Sequence, residues 1–158
     1  MRQSRSAFFL SVTLAIVILT MAACGPSPAP SVAVPSGDLS QQTQEVPVEG
    51  GGSYTDVSAV GLASMMENKD FPLINVHIPY EGEIEGTDLF IPFDEVEQNL
   101  DKLPSDKSAR IVLYCRSGSM SATSARALVQ LGYTDIWNLD GGMIGWKQAG
   151  YPLLDKGR

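Results

Sequence analysis

At 158 residues, the chain has room for one ordinary domain besides a leader, because two independent cores would each be too small to be comfortable. It carries 18 acidic against 11 basic residues, a formal net charge of -7, and this balance argues against nucleic acid and against an anionic membrane surface as partners. Two cysteines, Cys24 and Cys115, and a single histidine, His77, are the residues with the most chemistry to explain.

The leader comes first. Arg2 and Arg5 precede an apolar run over residues 7–23 that contains no acidic residue, the pattern of an export signal. The run closes on "MAAC", residues 21–24, which resembles a bacterial lipobox. On that resemblance a lipoprotein signal peptidase removes residues 1–23, and the thiol of Cys24 carries the lipid. The alternative is an uncleaved membrane anchor, since the run approaches the length of a spanning helix. Both readings tether the remainder at the membrane outside the cytoplasm, and a lipidated Cys24 leaves Cys115 without an intramolecular disulfide partner.

Residues 24–53 mix Pro, Ser, Gly and Gln with few large apolar side chains. Such a composition does not offset the entropy of ordering, and it reads as a disordered linker behind the anchor. From Tyr54 to the end, residues 54–158, apolar clusters recur between turn signals and alternate between strand and helix. Ser58 caps an expected helix through "AVGLASMMENK", with Leu62, Met65 and Met66 inward. "FPLINVH" (71–77) and "DLFIPF" (88–93) are expected strands, and "DEVEQNLDKL" places Val96, Leu100 and Leu103 at helical spacing before Pro104. "RIVLYC" reads as a central strand, Ser121 to Leu131 as a helix ended by Gly132, "DIWNL" as a strand and "GGMIGWKQAG" as a short last helix. The alternation implies an α/β fold, a mostly parallel central sheet flanked by helices on both faces. Trp137 and Trp146 read as core aromatics, and Gly141 and Gly142 as a turn opening the last helix rather than a nucleotide loop, since the dinucleotide spacing is missing.

In such a sheet, ligands collect at the carboxyl ends of strands, where a loop turns into a helix. Cys115 falls at that point, followed by "RSGSMS", residues 116–121. Amides of a tight loop and of a helix start converge on one spot and cradle an anion. A thiolate held there is a nucleophile without a dedicated base. Gly118 lets the loop curl, Ser117, Ser119 and Ser121 offer hydroxyls, and Arg116 adds the one fixed charge nearby.

Three stretches, "CRSGSMS", "GEIEGTDLFIPF" (82–93) and "NLDGGMIGWKQAGYP" (138–152), agree in order and spacing with one family, and the region from Tyr54 to Leu153 resembles a single-domain rhodanese. The resemblance implies a sulfurtransferase with a rhodanese-like fold. Cys115 is then the catalytic nucleophile and sulfur carrier, and the segment Arg116, Ser117, Gly118, Ser119, Met120 and Ser121 binds the substrate through its amides. It implies a small sulfur donor (thiosulfate or a persulfide), a thiol or cyanide acceptor, and neither metal nor cofactor.

The sequence departs from the family pattern in three places. Met120 stands where Arg or Lys is common, Asn75-Val76-His77 where "DVR" is common, and Glu83 and Glu85 where His and Pro are frequent. The lost positive charge favours a persulfide or polysulfide at least as much as thiosulfate. His77 reads as a rim or structural histidine and the two glutamates as solvated turn residues. Related phosphatases place an arginine six positions after the cysteine; here that position is Ser121. The rival from another class is a non-catalytic, membrane-tethered module that binds or senses sulfur species.

Overall fold

The protein is described by a computed structural model over residues 38–157. The leader, Cys24 and the linker through residue 37 lie outside the described residues. Thr43–Pro47 (β1) and Ser53–Val57 (β2) pair antiparallel, with Thr43 opposite Val57 and Pro47 opposite Ser53. Ala59–Met66 (α1) follows, capped by the Ser58 hydroxyl, which accepts from the Gly61 N–H at 3.1 Å. Then come Leu73–Asn75 (β3), Leu89–Phe90 (β4), Ile111–Tyr114 (β5), Ser119–Gln130 (α2), Ile136–Leu139 (β6) and Gly142–Gln148 (α3).

The six strands form one sheet in the order β1-β2-β6-β5-β3-β4, parallel except for β1 with β2. Alternation along β5 assigns the two faces. Ile111, Leu113 and Cys115 join a core cluster with Ala125, Leu128 and Val129 of α2, while Val112 and Tyr114 join another with Leu62 of α1 and Met143 and Trp146 of α3. A strand buried on both faces explains the unbroken apolar run "IVLY". The expected α/β architecture, with helices around a mostly parallel sheet, is the one observed.

The structure corrects several local expectations. Residues 38–53 are ordered within the described region, so the expected disordered linker does not extend to residue 53. Val46 packs against the core and Val48 is buried within it, an apolar pair two positions apart that turns a polar segment into an edge strand. Val96–Lys102 is a 3₁₀ helix with non-helical backbone at Asn99, not a regular α-helix. The strand expected over residues 88–93 narrows to Leu89–Phe90, and α2 begins at Ser119 rather than Ser121. Glu83 is fully buried, not solvated, whereas Glu85 is exposed.

Glu83 is buried because the C-terminal segment covers it. Its backbone exchanges two 2.8 Å hydrogen bonds with Leu154. Its carboxylate pairs with the Lys156 ammonium, and the Tyr80 hydroxyl donates to it at 3.4 Å. Trp146 fixes the approach of the segment by donating its indole N–H to the Pro152 carbonyl at 3.0 Å.

Tyr114 ties the same region to β5. Its buried hydroxyl accepts from the Ile84 N–H at 3.1 Å and lies 2.7 Å from the Thr87 hydroxyl. Burial pushes its ionisation from 10.0 up to about 12. The unfolded chain therefore loses this proton first, so the contribution to stability is whole below pH 10 and declines as pH rises to about 12. Urea titrations should show a loss of about 2 kcal/mol across that interval from this residue. In Tyr114→Phe this component should be absent, with a lower starting stability because the Ile84 N–H loses its acceptor.

Candidate functional site

Strand β5 delivers Cys115 to the carboxyl edge of the sheet, one residue past its last paired position. The parallel register sets Asn75 beside Tyr114, and the chain after β3 runs alongside the chain after β5. The thiol is 1% exposed. Its Sγ accepts from the Gly118 N–H at 3.1 Å and lies 3.4 Å from the Ser121 Oγ. That hydroxyl is also 3.1 Å from the Gly118 carbonyl. It has one proton to donate, so it turns to sulfur when sulfur carries negative charge and to the carbonyl otherwise.

The cradle exists because the loop carbonyls are held elsewhere. The first turn of α3 donates the Met143 N–H to the Cys115 carbonyl at 2.9 Å and the Ile144 N–H to the Arg116 carbonyl at 3.0 Å. Otherwise free helix-start amides thus find partners, and the loop is tied by its acceptors while the Gly118 amide faces the thiol. Gly118 adopts φ +92°, a left-handed conformation that favours glycine. Gly142 is more tightly constrained: at φ +54°, a Cβ there would stand 2.3 Å from the Cys115 carbonyl oxygen and 2.7 Å from the Arg116 carbonyl carbon.

The expected substrate-binding segment divides by exposure. Gly118 and Ser121 are buried against the thiol, Arg116, Ser117 and Ser119 are exposed, and Met120 is half-buried and packs on the core. Arg116 does not stand alone. Its Nε lies 3.2 Å from Glu81 Oε2, with side-chain exposures of 58% and 43%. The other oxygen of Glu81 lies 3.7 Å from His77 Nε2, too long for a hydrogen bond. The His77 ring is buried, and neither nitrogen has a hydrogen-bond partner among the described residues.

Glu81 has no motif and lies far from Arg116 in sequence, so no spacing argument finds it. Asn75 supplies the local reason for its position. The Asn75 side chain accepts from the His77 N–H at 3.0 Å and donates to the Gly82 carbonyl at 3.0 Å, closing the loop that carries Glu81. An aspartate, acceptor-only when ionised, could not make the second bond, which gives the Asn75 departure a structural role.

The close approach of α3 makes a direct expectation. Gly142→Ala should separate α3 from the Cys115 loop or strain both, costing roughly 3 kcal/mol or more in urea unfolding. An alanine at Gly150, also at positive φ but with no atom within 4 Å of an added Cβ, should bear the backbone strain alone and cost less than Gly142→Ala.

Comparison with known proteins agrees with this geometry. Residues 58–149 match the rhodanese-like domain family. A protein of Allochromatium vinosum named sulfurtransferase is 31% identical over 93 residues, covering 57% of this chain and 84% of that one. The thiosulfate sulfurtransferase GlpE of Coxiella burnetii is 26% identical over 104 residues, covering 65% and 94%. Two further curated relatives are longer, and this chain spans 46% and 21% of them. Among solved structures, a rhodanese-related protein from Thermoplasma volcanium has a TM-score of 0.54 and 26% identity over 63% of this chain and 96% of its own. A core alternating around β5, a cysteine at its carboxyl end and a loop locked by α3 thus coincide with the family match, and the chain belongs to the rhodanese-like domain family.

Proposed function

We propose that this domain is a sulfurtransferase that moves sulfane sulfur from a donor, thiosulfate or a persulfide, to a thiol or cyanide acceptor through a persulfide on Cys115. The observation that carries the reading is the placement of the Gly118 amide and the Ser121 hydroxyl on Sγ, with the loop carbonyls engaged by α3. In the first step the Cys115 thiolate attacks the outer sulfur of the donor. A new S–S bond forms, the donor's bond to that sulfur breaks, and the electron pair leaves on sulfite or a thiolate. In the second, the acceptor attacks the terminal sulfur and the electron pair returns to Sγ. Donors already aimed at sulfur stabilise the anionic form at each end of the cycle. No neighbouring cysteine is needed, because the second nucleophile arrives with the acceptor.

The burial of Sγ favours a second reading, a binding or sulfur-sensing module that keeps the thiol without turnover. Intact mass spectrometry of the full-length chain separates the two, using thiosulfate and a glutathione persulfide as separate donors. The sulfurtransferase gains one sulfur atom, loses it to cyanide or a thiol, and shows neither change in Cys115→Ser. Failure of a folded wild-type chain to gain sulfur from either donor sinks the catalytic reading and leaves the module.

We also propose that the chain is exported and lipid-anchored through Cys24, a reading supported by the basic start, the apolar run and "MAAC". Fatty-acid labelling in a bacterial host should mark the chain and be lost in Cys24→Ser; equal labelling of both would remove the lipobox assignment.

A further inference from the structure

The charges beside the Cys115 loop are closely balanced: the cleft lined by Ser117, Gly118 and Ser119 holds Arg126 with Asp56 and Asp140, and the cleft on Arg116 has its own mixture. Arg116 is the only cation in the segment 116–121, and Glu81 takes it at 3.2 Å. Both residues line a cleft of about 310 Å³, together with Lys147 and the apolar Met143, Ile144 and Leu153. The charged residues lining it are therefore two cations and one carboxylate, an excess of one positive charge. His77 lies behind Glu81, its Nε2 3.7 Å from the carboxylate and without a hydrogen-bond partner among the described residues. At the thiol itself the donors are neutral dipoles, the Gly118 amide and the Ser121 hydroxyl.

Solvation decides what such a site accepts. The cost of withdrawing an ion from water grows as the square of its charge, so a dianion costs about four times as much as a monoanion of equal size. Its attraction to a fixed positive charge only doubles. Two free cations can offset the cost for a dianion; one excess charge suits a monoanion or a neutral molecule. The chain's net charge of -7 adds a weak repulsion of the same sign.

We propose that Glu81 is a specificity-determining residue, which by neutralising Arg116 turns the site away from inorganic dianions towards singly charged or neutral organic sulfane donors. The class includes thiosulfonates, persulfides and polysulfides. The proposal rests on the sulfurtransferase reading and deepens it. With a thiosulfonate anion, the Cys115 thiolate bonds to the sulfane sulfur, the bond from that sulfur to the sulfonyl sulfur breaks, and the electron pair departs on the sulfinate. The persulfide retains the transferred sulfur, and no oxidant or reductant is consumed.

The test uses two donors of nearly equal size that differ by one charge: thiosulfate and methanethiosulfonate. Persulfide formation on the full-length chain, followed as kcat/KM with cyanide as acceptor, is compared in the wild type, Glu81→Gln and Glu81→Asp. Intrinsic donor reactivity cancels in the ratio between variants. Glu81→Gln should move the thiosulfate to methanethiosulfonate ratio towards thiosulfate by roughly tenfold, and the shift should shrink as salt is added. Glu81→Asp, which keeps the charge, should stay near the wild-type ratio. A ratio that Glu81→Gln leaves unmoved, while both donors still react, overturns the role of Glu81 alone. A wild-type chain that takes sulfur from neither donor overturns the sulfurtransferase reading and this inference with it. A purely structural role for Glu81 would lower both rates together and leave the ratio and its salt dependence unchanged, which also overturns the proposal.

Discussion

The approach of α3 to the Cys115 loop is the constraint on which the site depends. Two amides at the start of α3 hold the carbonyls of Cys115 and Arg116, and the contact leaves no room for a side-chain carbon at Gly142. A loop in solution would satisfy its carbonyls and amides with water alike. Here the acceptors are committed to a neighbouring helix, and the donor at Gly118 is free to face sulfur. The arrangement is electrostatic without ionised donors: oriented dipoles in a buried place do the work that a lysine or arginine would do at a wetter one.

That division between dipoles and charges runs through the whole site. The sulfur position is surrounded by β5, the loop and α2, which are packed on the core. The charges belong to more exposed groups: Arg116 and Lys147 at the surface and Glu81 on the loop after β3. An exposed ion pair adds little to stability, so the Arg116–Glu81 contact has small value as a staple. Its larger effect is on the potential met by an approaching anion, which changes even when the fold does not.

Much of this was legible in the sequence, for reasons that particular residues make plain. The unbroken apolar run of β5 ending in cysteine, the glycine three residues later and the helix period beyond it located the strand, the loop and α2. The Ser58 cap marked the start of α1 in the same way. The strand β1 escaped because its composition is polar and its signal is two valines, Val46 and Val48, whose meaning depends on a β2 edge that a linear reading does not supply. Glu83 escaped because burial of a carboxylate requires a partner, and Lys156 reaches it only once the C-terminal segment has folded back. Glu81 escaped for a similar reason. Its partner Arg116 belongs to another strand's loop, so the pairing is a property of the sheet order and of the Asn75 bonds that close the turn.

The loop that carries Glu81 is held from three directions, none of them the Cys115 loop itself. Asn75 closes it from β3, the Tyr114 hydroxyl holds Ile84 from beneath, and the C-terminal segment pairs with Glu83 and donates the Lys156 N–H to the Tyr80 hydroxyl at 3.1 Å. The cradle is supported by Gly118, Gly142 and the first turn of α3, the helix whose Trp146 also fixes the C-terminal segment. Sulfur carriage and donor choice, as proposed, are thus assigned to different segments of the chain, joined at the Arg116–Glu81 contact and through Tyr114 of β5 and Trp146 of α3. Such an arrangement lets the donor preference change by substitutions in the loop after β3 while the cradle's geometry stays fixed. The departures from the family pattern at Asn75, His77 and Glu83 lie at the end of β3 and in the loop after it, whereas the departure within "CRSGSMS" is Met120.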